Sequence, residues 1–405
     1  MPGAFLLPLR GAIKNYSWGS RTFLARLRGD AVPSPEPEAE LWMGAHPGGP
    51  ARVWSEGQER SLLELIERDP ADFLGASSVE RFGVEAPFLL KILAIDQPLS
   101  LQAHPDRAQA AAGFDRERAA GIGLDEGSYR DRRHKPELIV ALEPLWLLRG
   151  LLEPAEIQQR FADAGIASLA GETDRLARRG PAGLRDFLAA WLGVAGAARD
   201  RLLDESHRAA DAARRARLSR DDPGYWVARM SELHPEDPTA LAPLAMHLLR
   251  LAPGQGSFQP SRILHSYLDG AGVEVMANSD NVVRAGLTSK PVDLDELLAV
   301  VEPAPTAPLP MAPTAEAQGT ARYESTAEEF ELWRLEARPG SGATMEGRDA
   351  PAIGICTRGS GSIAAPGRGE RLDLGSGTAF AARTGAGPLE LLGDLDVFVA
   401  SIAME

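Results

Sequence analysis

Three short stretches of this chain carry residue types that coordinate metals: Gln102-Ala-His104, His134-Lys-Pro-Glu137 and His265-Ser-Tyr267. Gln102, His104, Glu137 and His265 together offer an amide oxygen, two imidazoles and a carboxylate. That donor set suits a borderline divalent ion, zinc first, with manganese or iron as alternatives and one position open for water or substrate. Ser100, Gln102 and His104 alternate with Leu99, Leu101 and Ala103, the period of two that places polar residues on one strand face. A local alternative is that His104-Pro-Asp106 ends a strand and caps a helix running from Arg107 to Ala120. Taken singly, each histidine could be structural, as is expected of His207, His234 and His247, which fall in helical or turn-like stretches apart from these motifs.

The elements that must position these residues are readable around them. Lys91-Ile-Leu-Ala-Ile95 is apolar apart from its lysine, as a buried strand beside a pocket should be. Glu137 precedes Leu138-Ile-Val-Ala-Leu142, so it sits at the mouth of another strand. His265 and Tyr267 share a strand face between the turn residues Pro253-Gly254 and Asp269-Gly270. Ser61-Leu-Leu-Glu64 reads as a capping box opening a helix to Phe73.

From Pro154 to His234 the composition turns to Ala, Arg, Leu, Glu and Asp, with Ile157, Phe161, Leu184, Phe187, Leu188, Trp191 and Leu192 at helical spacing. Strand character is expected again over Leu241–Leu251 and Val273–Leu287. Helices thus interrupt one sheet structure: residues 1–150 and 241–300 form one domain, and 151–240 a helical insertion. The proline-rich segment from Glu302 to Pro313 reads as a stiff connector over 301–315. Beyond it, 316–405 contains short strands and glycine turns that suggest an antiparallel sandwich or jelly roll. That last part has no histidine, so it is expected to cover an edge or shape an interface rather than hold the metal.

Composition narrows the function. The chain has 405 residues, 44% of them hydrophobic and 25% charged, enough for two or three globular domains. A net charge of −14 disfavours nucleic acid and anionic membranes as partners, and a phosphorylated metabolite would need a dedicated cationic pocket. The single cysteine, Cys356, excludes an intrachain disulfide. Phe5-Leu-Leu7 is too short for a signal-peptide core or a membrane span, and a cytoplasmic location is expected.

These motifs, with Asn15-Tyr-Ser-Trp-Gly19, Ala39-Glu-Leu-Trp-Met-Gly-Ala-His-Pro47 and the segment from Met276 to Lys290, resemble the type I phosphomannose isomerases. The resemblance covers most of residues 10–295 and is weak in the helical insertion. It implies a mainly β fold with a helical insertion: a catalytic cupin barrel, a C-terminal jelly-roll barrel and an α-helical domain. It also implies one zinc ion held by Gln102, His104, Glu137 and His265, with a small sugar phosphate as ligand and a monomer or weak homo-oligomer as assembly. By the same resemblance Lys91, Ser100 and Lys290 hold the substrate phosphate. Arg284 is the catalytic arginine, Asp280, Lys135, His134 and Tyr267 line the pocket, and Trp18 and Glu40 could wall it. Ser257-Phe-Gln-Pro-Ser-Arg262 and Gln255 depart from the family pattern before His265.

The implied reaction interconverts mannose 6-phosphate and fructose 6-phosphate by ring opening and proton transfer between C1 and C2 through a cis-enediol. Lys135, Asp280, His134 and a water held by the metal all remain candidates for the base. The competing functions are a related metal-dependent sugar-phosphate isomerase or epimerase, and a non-catalytic cupin that binds sugar.

Overall fold

The computed structural model describes residues 4–55, 57–124 and 126–403. Among the described residues, two antiparallel sheets, of ten and eleven strands, carry the architecture. The Phe88–Ile95 strand, paired to Glu40–Met43 and His265–Ala277, is buried along its whole length because both its faces are covered, Leu90, Ile92 and Ala94 packing into one apolar cluster and Leu93 and Ile95 into another. That explains the unbroken apolar run, and it makes Lys91 a charge the interior must neutralise.

His265–Ala277 is the strand that organises the ten-stranded sheet. Its first half pairs with the Leu145–Leu151 strand and with Gln102. Its second half pairs with Phe88–Ile95 and with the Glu137–Ala141 strand. The register slips between Tyr267 and Asp269, and Gly270 follows with φ +115°, a conformation open to glycine. A Cβ there would lie 2.3 Å from the Pro144 carbonyl oxygen. The change of partner lets one strand bring His265 and Glu274 to different ladders of a curved sheet.

The sheet's open flank is covered by the helices Pro154–Asp163, Ala170–Arg179, Leu184–Leu192, Gly196–Ala216 and Pro223–Leu233. Phe161, Phe187 and Trp191 meet with ring centroids 5.6 to 6.0 Å apart and join one core with Trp146, Leu148 and Leu151 of the sheet. The helical reading of this segment holds for the described residues. Two neighbouring expectations change. Pro238–Leu241 and Ala242–Ala245 are helical turns, with Asp237 capping Thr239 N at 2.9 Å, and the strand begins only at Met246. His247 therefore lies in a strand. The helix after Ser61 ends at Arg68, because Pro70 cannot continue it and starts a second helix capped by Asp69.

The eleven-stranded sheet contains the C-terminal strands, the longest being Ala352–Ala365 and Leu389–Ser401, which pair along most of their length. It also takes in the N-terminal strand Leu6–Arg10, paired to Ala379–Ala382, and the hairpin Arg52–Ser55/Gln58–Ser61. The proline-rich segment is strapped to the first sheet. Thr306 N donates to the Leu151 carbonyl at 3.0 Å, and Gly256 and Met311 exchange backbone hydrogen bonds of 2.8 and 2.9 Å. No described helix is long and apolar enough to cross a membrane.

Candidate metal centre and active site

His104, Glu137 and His265 converge in the ten-stranded sheet, all buried, with ligand atoms within 4.8 Å of one another. Each arrives from a different element. His104 follows the Leu101–Ala103 strand, Glu137 opens its strand and His265 begins the long one. The helix after His104 runs Arg107–Ala119 and is capped by Asp106, in a capping box with Gln109. His104 is left outside the cap, free to face the site.

The imidazoles are set for a metal. His104 Nδ1 lies 2.8 Å from the Asn281 carbonyl and His265 Nδ1 lies 3.0 Å from the Ile263 carbonyl. A carbonyl only accepts, so both rings carry the proton on Nδ1 and present Nε2 as a lone pair. Those Nε2 atoms stand 3.3 and 3.4 Å from the Glu137 oxygens, yet both, with Glu137 Oε2, are buried without a hydrogen-bond partner. Three converging acceptors of this kind repel one another unless a cation sits between them. The residues fit a divalent ion.

Burial drives the His104 pKa down to about 4, only partly opposed by Glu137, so the ring is neutral at pH 7. Burial alone would raise the Glu137 carboxyl, but the Lys135 ammonium, which donates to its Oε1, outweighs it and holds it well below the usual range. Gln102 lies opposite both His265 and Arg284 in the ladder, and its Oε1 accepts from Ser100 Oγ at 3.2 Å.

A loop hub fixes one wall. Asn281 is fully buried; its Oδ1 accepts from Arg130 N at 2.7 Å, and its Nδ2 donates to the Asp131 and Arg133 carbonyls at 2.8 Å. Asp131 in turn accepts from Ser279 Oγ at 3.0 Å and from Asp280 N at 3.0 Å. Asp280 stands 3.2 Å from His46 Nε2. Burial would raise its carboxyl, but that imidazole holds it lower than usual.

Lys91 lies inside a buried charge group, 3.4 Å from Glu40 and 3.7 Å from Glu274. Burial would lower its pKa, but the two carboxylates more than reverse this. The Trp42 indole donates to Glu40 and lies under the Lys91 ammonium at 4.9 Å. Arg284 and Lys290 are different. The Arg284 pKa is depressed by burial and by Arg130, that of Lys290 by Arg284 first and then by burial. Cations that lower one another's proton affinity mark a stretch where positive charges gather. Tyr267 is buried, and its hydroxyl is pushed well above its ordinary pKa by burial and by Glu274. Trp18 packs against the apolar group that contains Tyr267.

Glu274, Arg130, His46 and Asn281 were not singled out from the sequence. Glu274 had a usable signal, a lone acid in the apolar run Val273-Glu-Val-Met276. Burial, then Glu137, raises its carboxyl to about 7. The altered approach to His265 is accommodated internally: Gln259, opposite Glu137 in the ladder, accepts from Arg149 Nε at 3.0 Å and donates to Ser257 Oγ at 3.0 Å.

An antiparallel barrel that buries two imidazoles and a carboxylate around one point, beside an arginine and lysine cluster, defines a metal-dependent enzyme of the cupin type. Residues 6–151 match the family model for the phosphomannose isomerase type I catalytic domain, and the mannose-6-phosphate isomerase of Escherichia coli (strain K12) is 40% identical over 302 residues, 73% of this chain and 74% of that protein. The chain belongs to the type I phosphomannose isomerase family. The mannose-6-phosphate isomerase of Aspergillus fumigatus is 27% identical over 439 residues, 93% of this chain and 91% of that one. A zinc-bound mannose 6-phosphate isomerase structure superposes with a TM-score of 0.90 at 31% identity, covering 99% of this chain and 100% of that chain. The Salmonella typhimurium enzyme bound to fructose 6-phosphate and zinc gives 0.89 at 31%, with the same coverage.

Proposed function

We propose that this chain is a zinc-dependent isomerase that interconverts D-mannose 6-phosphate and D-fructose 6-phosphate. The carrying observation is the buried His104–Glu137–His265 triad, with both Nε2 atoms bare and Nδ1 anchored on backbone carbonyls. His104, Glu137 and His265 hold the zinc, and Gln102 supplies the fourth ligand. Zinc bound there polarises substrate oxygens and stabilises enediolate charge.

The phosphate dianion is held by Lys290 and Ser100 together with Arg130, at the end of the site where Arg130 lowers the pKa of Arg284 and Arg284 that of Lys290. Lys91 contributes less directly than its charge suggests, because Glu40 and Glu274 already neutralise it. Arg284 then compensates the charge that develops as the enediol forms.

The proton that moves between C1 and C2 needs a carrier near the metal ligands. Lys135 Nζ holds one at the Glu137 carboxylate. His134 lies one residue away, and Asp280 is kept ionised as an acceptor by His46. Tyr267 stays protonated, its buried hydroxyl without a partner of its own and so open to a substrate oxygen, while Trp18 and Trp42 wall the pocket. The enzyme is cytoplasmic and works as a monomer or weak homo-oligomer.

The test is conversion of mannose 6-phosphate to fructose 6-phosphate, followed through chelation and zinc restoration. Activity should vanish on chelation and return with zinc. Arg284→Ala should lower turnover by roughly 10²-fold, the scale of losing one preorganised electrostatic contact, with zinc content unchanged. Activity that survives chelation, or none in the zinc-loaded protein, overturns the reading.

A further inference from the structure

Glu329 belongs to the segment leading into the Glu331–Ala337 strand of the eleven-stranded sheet, yet its carboxylate serves the other sheet. Its Oε1 lies 2.7 Å from His134 Nε2 and 2.9 Å from Arg107 Nη2. The residue is buried, and its Oε2 has no hydrogen-bond partner. Arg107 is the first residue of the helix that follows His104, and His134 leads through Lys135 into Glu137. One buried carboxylate thus bridges the two segments that carry two of the metal-site residues.

The chemistry of the contact fixes the ring. Arg107 Nη2 also comes within 3.2 Å of His134 Nε2, but a guanidinium only donates. His134 and Arg107 can both bond Glu329 when Nε2 carries the proton and donates to Oε1 while Nη2 donates to the same oxygen. The neutral ring then has Nδ1 as its bare nitrogen. Glu328, next in the chain, is exposed and approaches Arg107 at 3.3 Å.

We infer that Glu329, supplied by the C-terminal sheet, is a positioning residue for the active site: it sets the tautomer and orientation of His134 and, through Arg107, braces the His104 and Glu137 segments against each other. Its kinetic consequence rests on the isomerase reading above.

The test uses the full zinc-loaded chain with Glu329→Ala, Glu329→Asp and, as control, Glu328→Ala. Glu329→Ala should lower kcat for mannose 6-phosphate by roughly 10–100-fold, the usual cost of losing a group that orients site residues from behind. KM and zinc content should stay near the parent values. Glu329→Asp should recover a large part of the loss, and Glu328→Ala should match the parent. Nitrogen-15 NMR of His134 should show the Nε2-protonated ring in the parent and a tautomer mixture in Glu329→Ala, a readout that needs no substrate. Unchanged turnover or an unchanged tautomer in Glu329→Ala overturns the inference. So does a loss of zinc and kcat in parallel that aspartate fails to relieve, which marks a purely structural brace. An inactive parent that still shows the Nε2-protonated ring overturns the isomerase reading and leaves the positioning role supported.

Discussion

At the residue scale, the site depends on acceptors that are held neutral or ionised by where they lie. His104 has an ordinary pKa of 6.5 and a folded value of about 4, so the unfolded chain binds its proton first as pH falls. The stabilisation from keeping this ring neutral is complete above pH 6.5 and is lost as pH falls from 6.5 to about 4. It amounts to on the order of 3 kcal/mol, because each tenfold change in proton affinity is worth about 1.4 kcal/mol. Glu137, also depressed, adds its own loss at lower pH. Denaturant melts of the metal-free protein across this window, compared with His104→Asn, should show a steeper acid slope in the parent; equal slopes would contradict the assignment. His104, Glu137 and His265, which the structure brings together, were legible because each sits in a short motif beside a readable strand. Asn281, His46 and Arg130 were not, because their importance lies in partners distant in the chain, such as the 2.8 Å bond between His104 and the Asn281 carbonyl.

At the element scale, the long strand His265–Ala277 does two jobs because it changes partners at Gly270. Gly270→Ala would force a side chain against the Pro144 carbonyl at a φ of +115°. It should cost on the order of 2–4 kcal/mol from backbone strain and overpacking together. The His265 end should also shift relative to the Glu274 end, so denaturant melts should fall and zinc affinity weaken together. A melt unchanged by the substitution would mean that the bend is set elsewhere. Apolar runs made the strands around Lys91, Glu137 and His265 readable. The stretch before Met246 was misread as strand because Pro238, Pro243 and the Asp237 cap favour helical turns, local chemistry that a run of leucines and alanines conceals.

At the scale of the whole molecule, the two sheets share one core, in which Leu7 and Val53 meet Leu90, Val273, Phe330 and Phe398. The histidine-free C-terminal part reads as separable in sequence, since alternating strands carry no record of which distant strand they pair with. The two sheets should instead unfold in a single calorimetric transition that takes the zinc site with it. Two resolved transitions, with activity tracking only one, would show the shared core to be too weak to couple them. The pairing of Leu6–Arg10 with Ala379–Ala382 has a further consequence for biosynthesis. The partner is made roughly 20–70 s after this strand, at about 5–20 residues per second. Throughout that interval a Leu-rich edge waits unpaired, and the nascent chain's exposure to chaperones is set by the length of chain between the two strands.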